Sequence, residues 1–229
     1  MSRRPGFHRV FSLLAATAVG ITVAFVPSGT TIASAATCSD VEVVFARGTN
    51  EPVGPGFVGQ SFADSLRAQL GTKTVGLYSV KYPAIEKWRT AVIGVNDASA
   101  YIRQIAADCP NTSIVLGGFS QGAAVAQLVT ADPATVPRNS FASGTTSPLP
   151  PDVADRVDAV ALFGKPNHRF LFLIGQPYVP LGAAFASKTI DQCAINDPIC
   201  SGGLDFAAHN AYPANGMVAQ AASFAAGRV

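Results

Sequence analysis

One stretch decides the fold of this chain: Ile114-Val115-Leu116-Gly117-Gly118-Phe119-Ser120-Gln121-Gly122, followed by Ala123–Val129. The apolar run at its start has strand character, and the Ala-rich run at its end is typical of a helix. Between them, Gly118-x-Ser120-x-Gly122 has the spacing of a nucleophile elbow, a sharp turn that presents a serine hydroxyl at the end of a sheet. The glycines let strand and helix pass closely. The alternative is a tight turn with an idle serine.

The apolar patterns on either side predict alternating strands and helices. Strands are expected at Val41–Ala46, Val75–Val80 and Val157–Phe163, and helices at Phe57–Leu70, Asn96–Ala107 and Gly216–Ala226. Asp132–Pro151 is rich in Pro, Ser and Thr and is interpreted as a long loop. Strands that alternate with helices favour an α/β fold, with a central, mostly parallel sheet and helices on both faces.

Residues 1–36 have the pattern of a secretory signal peptide. Arg3, Arg4 and Arg9 precede an apolar run that is short for a membrane span, and Ala33-Ser34-Ala35 is a small-residue cleavage pattern. We expect cleavage after Ala35 or Ala36, which leaves residues 37–229 as a single domain. The alternative is an uncleaved anchor.

The charge balance excludes several classes of partner. The chain has 16 basic and 14 acidic residues, and loss of the three N-terminal arginines leaves 13 basic against 14 acidic, a net charge of −1. Runs of like charge are absent from the sequence. We therefore expect no nucleic acid and no anionic membrane surface as partner, and no transmembrane segment once the signal is removed.

All four cysteines, Cys38, Cys109, Cys193 and Cys200, lie beyond the signal. An even number in an exported chain predicts two disulfides, for which three connectivities exist. Cys193 and Cys200 are close enough in sequence to close a short loop, and Cys38 then pairs with Cys109. Their spacing is not that of a zinc site, so no metal is expected.

A serine nucleophile needs a histidine base and an acid that fixes the tautomer of that base. After the signal, the chain has only His168 and His209. Acidic residues precede both in the order Ser, Asp, His: Asp152, Asp155 and Asp158 before His168, and Asp191, Asp197 and Asp205 before His209. His209 with Asp197 is favoured because Asp197 lies inside the Cys193–Cys200 loop, where a disulfide would hold its carboxylate.

Two further segments allow a structural or a functional interpretation. Arg47-Gly48-Thr49-Asn50-Glu51 follows a predicted strand and is either an ordinary connection or the source of a second oxyanion donor. The apolar stretch Phe170–Pro180 is either a buried element or one wall of an acyl-binding site. A buried element is favoured for its first half.

Taken together, these motifs resemble the cutinases. The resemblance rests on Gly118-Phe119-Ser120-Gln121-Gly122, Cys193-x-x-x-Asp197-x-x-Cys200, His209-x-x-Tyr212 and the segment Ala46–Glu51. It covers essentially the whole chain after the signal. The chain is most similar to the exported, actinobacterial cutinase-like proteins.

The resemblance implies a small, three-layer α/β-hydrolase that acts on carboxylic esters without a cofactor. Ser120 would be the nucleophile, His209 the base and Asp197 the orienting acid. The backbone N–H groups of Thr49 and Gln121 would form the oxyanion hole. The same disulfide pairing is implied.

We therefore expect a secreted, monomeric serine esterase, extracellular or associated with the cell wall. Its expected substrates are short- to medium-chain acyl esters or lipids. The alternatives are an acyltransferase or thioesterase on the same scaffold, or a non-catalytic lipid-binding protein.

Overall fold

The structure is a computed structural model that describes residues 38–136 and 148–229. The predicted signal peptide and part of the predicted loop Asp132–Pro151 lie outside the described residues. Within the described ranges, no helix is both long enough and apolar enough to cross a membrane.

Five parallel strands form one sheet in the order β2-β1-β3-β4-β5. The strands are β1 Val41–Ala46, β2 Val75–Ser79, β3 Ser113–Phe119, β4 Val157–Phe163 and β5 Thr189–Gln192. Parallel neighbours require crossover connections, and helices supply them. The helices are α1 Gly56–Leu70, α2 Ala91–Asp108, α3 Gln121–Val129, α4 Pro151–Ala154, α5 His168–Leu173, α6 Phe206–His209 and α7 Met217–Ala226.

Helices cover both faces of the sheet, so the architecture is the expected three-layer α/β fold. On one face, Val44 and Leu116 of the sheet pack with α2 and α3. On the other face, Phe45 and Phe163 pack with α1 and α7. All six residues of β1 are buried, as expected for a parallel strand covered on both sides.

Helix α2 and strand β5 are among the elements that differ from the sequence-based expectation. Helix α2 begins at Ala91 rather than Asn96, because its buried residues Ala91, Val95, Ala98 and Ile102 already recur at helical spacing from its first turn. Strand β5 is not predicted by the apolar pattern. It is a four-residue edge strand with one buried residue, Gln192, and such a strand leaves little apolar signal.

The expected burial of the first half of Phe170–Pro180 is wrong. Helix α5 buries only Leu171, whereas Phe172 is 75% exposed and Leu173 is 71% exposed. A six-residue helix at the surface can turn only one side toward the protein, and its remaining apolar side chains therefore face outward.

The carboxyl ends of the five strands lie together along one edge of the sheet, because all five strands are parallel. Ser120 directly follows β3, the middle strand, and the connections after β1, β2, β4 and β5 surround it. Open α/β sheets bind ligands at this edge. The fold therefore places the predicted nucleophile where a substrate would be expected to bind.

Candidate active site

The predicted elbow at Ser120 is present. Ser120 lies between β3 and α3 with φ 53° and ψ −119°, a conformation that non-glycine residues rarely adopt. Its N–H donates to the carbonyl oxygen of Phe163 at 2.9 Å, which ties the turn to the neighbouring strand β4. The serine hydroxyl therefore sits at a fixed, strained point beside the N-terminus of α3.

Two glycines make this turn possible. A Cβ atom on Gly118 would lie 2.1 Å from the carbonyl oxygen of Gly122, and one on Gly122 would lie 2.0 Å from that of Ala46. Both contacts are with backbone, which cannot swing away as a flexible side chain could. The spacing Gly-x-Ser-x-Gly is thus a steric requirement of the close strand–helix passage.

His209 and Asp197 form a buried pair beside the elbow. The Nδ1 atom of His209 lies 2.7 Å from Oδ2 of Asp197. Asp197 is fully buried and His209 is 7% exposed. The His209 ring packs on the ring of Phe119, with centroids 4.8 Å apart, and Phe119 immediately precedes Ser120. The structure thus pairs His209 with Asp197, as the sequence favours, and places this pair against the residue that precedes Ser120.

The Asp197 carboxylate is surrounded by donors. Oδ1 accepts from the N–H groups of Ile199 at 2.7 Å and Cys200 at 3.4 Å, and Oδ2 accepts from the hydroxyl of Tyr212 at 2.6 Å. Burial on its own raises the pKa of this carboxyl. The hydrogen bonds from His209, Tyr212 and the Ile199 N–H outweigh that effect and hold the pKa below its usual value. Asp197 is therefore an ionised partner for the imidazole.

The competing acids near His209 have other partners. Asp191 pairs with Lys165 at 3.1 Å, and Asp205 accepts from the N–H of Ala207 at the start of α6. Neither carboxylate is the partner of His209 in the structure.

Among the described residues, no hydrogen bond joins His168 to its candidate acids Asp152, Asp155 and Asp158. His168 is the first residue of α5, and its ring centroid lies 6.1 Å from that of Tyr178. Asp158, one of its candidate acids, instead accepts from the N–H of Ile114 near the start of β3, whereas Ser120 follows the end of that strand.

Both predicted disulfides are present. Cys193 is bonded to Cys200, and Cys38 is bonded to Cys109. The short loop places Asp197 between its two cysteines, and the N–H of Cys200 itself contacts the Asp197 carboxylate. The long bridge ties the chain ahead of β1 to the residue that follows α2.

The segment after β1 lies beside the elbow. A Cβ atom on Gly48 would meet the Phe119 ring at 2.8 Å, so the chain approaches the elbow here as closely as a glycine allows. Within the described residues, the N–H of Thr49 has no hydrogen-bond acceptor. The first N–H groups of a helix, here those of α3 starting at Gln121, also lack intrahelical acceptors.

Arg47 and Glu51 hold this segment, a role that sequence reasoning missed. The buried Arg47 guanidinium donates to the carbonyl oxygens of Glu51 at 3.0 Å and Tyr82 at 2.7 Å. The Glu51 carboxylate accepts from the N–H groups of Gly48 and Phe57. The sequence signal for this role was the presence of two charged residues, Arg47 and Glu51, in a connection rich in Gly and Pro.

Residues 82–86 connect the two sides of the site. The carbonyl oxygen of Ala84 accepts from the N–H of Asn50 at 2.7 Å, next to Thr49. The carbonyl oxygen of Ile85 accepts from Nε2 of Gln121 at 2.8 Å. One connection after β2 therefore fixes both the elbow and the segment after β1.

Known proteins similar to this chain include solved and curated cutinase-type enzymes. The family model described as cutinase matches residues 37–229. Carboxylesterase Culp1 of Mycobacterium tuberculosis is 45% identical over 224 residues, which is 96% of this chain and 95% of that protein. Phospholipase Culp4 of the same organism is 47% identical over 222 residues, 97% of this chain and 92% of that protein.

A solved cutinase structure is also similar to this chain. The cutinase of Trichoderma reesei, in complex with a phosphonate inhibitor, matches with a TM-score of 0.62 and 32% identity, over 82% of this chain and 75% of that one. The parallel five-stranded sheet accordingly has the α/β-hydrolase-like fold of cutinases. This chain belongs to the cutinase family and is a serine carboxylic-ester hydrolase.

Proposed function

We propose that Ser120, His209 and Asp197 carry out ester hydrolysis through an acyl-enzyme. Ser120 Oγ bonds to the ester carbonyl carbon while His209 takes the hydroxyl proton. That proton then goes to the departing alcohol as the carbon–oxygen bond breaks. Water, deprotonated by His209, attacks the acyl-enzyme, and the serine leaves with the proton as the acid is released.

Asp197 keeps His209 in the useful tautomer. Because Nδ1 of His209 donates to the ionised Asp197 carboxylate at 2.7 Å, the proton is on Nδ1 and the other ring nitrogen, Nε2, is the base. The buried carboxylate also stabilises the imidazolium that forms during the reaction.

The oxyanion of the tetrahedral intermediate would be bound by the N–H groups of Thr49 and Gln121, assisted by the Thr49 hydroxyl. This assignment is supported by the Thr49 N–H, which has no acceptor among the described residues, and by the position of Gln121 at the first turn of α3. Residues 82–86 bind the N–H of Asn50, which follows Thr49, and the side chain of Gln121, which supports both donors being in place before substrate binds.

The buried His209–Asp197 pair beside the strained Ser120 carries this proposal, and replacement of the serine tests it. Ser120→Ala should reduce turnover of a chromogenic ester by about 10⁶-fold, as loss of the nucleophile does in subtilisin, with an unchanged circular dichroism spectrum. Ser99→Ala is the matched control, because Ser99 is a buried serine within α2 and takes no part in the site. Substantial activity in folded Ser120→Ala would refute the nucleophile assignment.

The proposed substrates are short- to medium-chain acyl esters, including glycerides, phospholipids or polyesters. Turnover of a 4-nitrophenyl ester series from acetyl to palmitoyl measures the preferred acyl length, and a maximum at the long end would contradict the proposal. Adding an acceptor alcohol and analysing the products distinguishes hydrolysis from acyl transfer.

We further propose that residues 1–36 are a signal peptide, that residues 37–229 are one domain and that the enzyme is exported as a monomer. The two disulfides support an oxidising destination. N-terminal sequencing of exported protein should show a start directly after Ala35 or Ala36. Size-exclusion chromatography with light scattering should give the monomer mass.

A further inference from the structure

Tyr212 touches the proposed orienting acid, yet the mechanism above does not use it. Its hydroxyl lies 2.6 Å from Oδ2 of Asp197, the same oxygen that accepts from His209. Tyr212 is fully buried. Two donors therefore share one carboxylate oxygen.

The direction of the Tyr212 hydrogen bond follows from the charge of Asp197. An ionised carboxylate can only accept, so the single phenol proton is directed at Asp197. The phenol oxygen also accepts from the N–H of Ala194 at 3.2 Å, and the disulfide sulfur of Cys200, a weaker acceptor, lies farther away at 3.4 Å. Burial, together with the hydrogen bond to Asp197, raises the pKa of Tyr212 well above its usual value, so the phenol remains a donor at any working pH.

The ring of Tyr212 is held by the ends of two strands. Its centroid lies 5.8 Å from that of Phe119 at the end of β3 and 5.9 Å from that of Phe163 at the end of β4, both edge-on. A Cβ atom on Gly164 would lie 3.1 Å from the phenol oxygen and 2.8 Å from the His209 ring. The sheet thus holds the Tyr212 ring, while Ala194 and Cys200 of the disulfide loop contact its phenol oxygen.

We propose that Tyr212 is a positioning residue that acts through Asp197, by locking the carboxylate against rotation and by limiting the negative charge available to His209. The proposal rests on the roles proposed above for Ser120, His209 and Asp197.

Loss of the phenol should change the pH dependence in a defined direction. Without that hydrogen bond the Asp197 carboxylate is more basic, so it stabilises the imidazolium form of His209 more strongly. A higher pH is then needed to obtain the neutral base, and the acidic limb of the kcat/KM profile moves up. Three other charged groups lie nearby: Asp191, which interacts with Tyr212 and pairs with Lys165, Asp205, which caps the helix that carries His209, and Arg169, near Gly202 just beyond the loop. Their charges are the same in the variant.

The test compares Tyr212→Phe with a matched control, Tyr101→Phe. Tyr101 also donates to a buried carboxylate, Glu42, at 2.7 Å, but it lies in α2, away from the elbow. Tyr212→Phe should lower kcat about tenfold, a fraction of the hundredfold that a 1 Å displacement can cause, with little change in KM. Its acidic limb should rise by roughly half a pH unit to one unit. Tyr101→Phe should keep the wild-type rate and profile.

A double-mutant cycle shows whether Tyr212 acts through Asp197. In an Asp197→Asn background, Tyr212→Phe should reduce kcat by less than about twofold, because the charge on which it acts is gone. If Tyr212→Phe folds poorly, 3-fluorotyrosine at position 212 keeps the shape and is a stronger donor. The acidic limb should then move down.

Three results would overturn the proposal: an unchanged acidic limb in both position-212 variants, a full tenfold loss in the Asp197→Asn background, or an activity loss that only follows the unfolded fraction. Measuring Ser120→Ala in the same series shows whether only the role of Tyr212 is wrong or the proposed function is wrong as well. An inactive Ser120→Ala with an unchanged Tyr212→Phe profile rejects the role of Tyr212 alone.

Discussion

Opening the Cys193–Cys200 disulfide should damage turnover more than stability. The bridge closes a loop with a sequence separation of 7, for which the chain-entropy relation gives about 2.5 kcal/mol of stabilisation. For a domain of this size that corresponds to a fall in Tm of roughly 5–10 °C. The variant Cys193→Ser with Cys200→Ser should therefore be folded at room temperature.

The catalytic effect arises because the loop holds the orienting acid. Asp197 lies between the two cysteines, and both of the N–H groups on its Oδ1 come from the same loop, from Ile199 and Cys200. In the open loop the carboxylate can drift away from His209. A displacement of about 1 Å can cost roughly a hundredfold in rate. We expect kcat to fall by that order while KM changes little.

The long disulfide provides the opposite control. Cys38 and Cys109 are 71 positions apart, so the same relation gives about 4 kcal/mol. Both cysteines precede strands, β1 and β3, and so lie toward the end of the sheet opposite Ser120. Cys38→Ser with Cys109→Ser should lower Tm by more than the short-loop variant does and leave kcat of the folded protein near the wild-type value. Differential scanning calorimetry and ester turnover at 25 °C measure both quantities. Full kcat in the short-loop variant would refute the reasoning, since Asp197 would then be held well enough without its bridge.

Three further outcomes are expected. His168→Ala should retain ester turnover and His209→Ala should lose it, with circular dichroism as the check on folding; the reverse result would move the site to His168. Gly122→Ala should abolish soluble, active protein, because its Cβ would lie 2.0 Å from the Ala46 carbonyl oxygen, and an active, soluble variant would contradict the close passage. The folded-state pKa of Asp197 is lowered from 3.8, so the ionised carboxylate stabilises the fold above about pH 4, and this stabilisation should be lost as the pH falls further. Urea unfolding of wild type and of Asp197→Asn across that range measures the loss, which should occur in the wild type alone.

Strong apolar strands and tightly spaced motifs are readable from the sequence. Strands β1 and β4 begin and end at the predicted residues, because each is a nearly continuous run of buried Val, Ala, Leu and Phe. The elbow can be predicted because the close strand–helix passage requires glycine at fixed positions on either side of the serine. The short disulfide is readable because its cysteines are only seven positions apart.

Features that depend on tertiary contacts cannot be predicted from the sequence in this way. Phe172 and Leu173 are as apolar as any core residue, and only the placement of α5 at the surface leaves them exposed. The hydrogen bond from Tyr212 to Asp197 joins residues 15 positions apart, and nothing in their spacing distinguishes it from the other pairings available to Asp197. The carbonyl groups that bind Arg47 belong in part to residues 80–83, which the sheet brings beside it.

The contact between Gly122 and the Ala46 carbonyl bears on how such an enzyme can acquire new substrates during evolution. Because backbone packs on backbone at this contact, no side chain lies between Gly122 and Ala46, and point substitutions have nothing there to adjust. The spacing of the proposed oxyanion donors is thereby inherited unchanged, while outward-facing residues such as Phe172 and Leu173 can vary without disturbing it. Selection for a different ester would act on the outer connections and leave the chemistry itself intact.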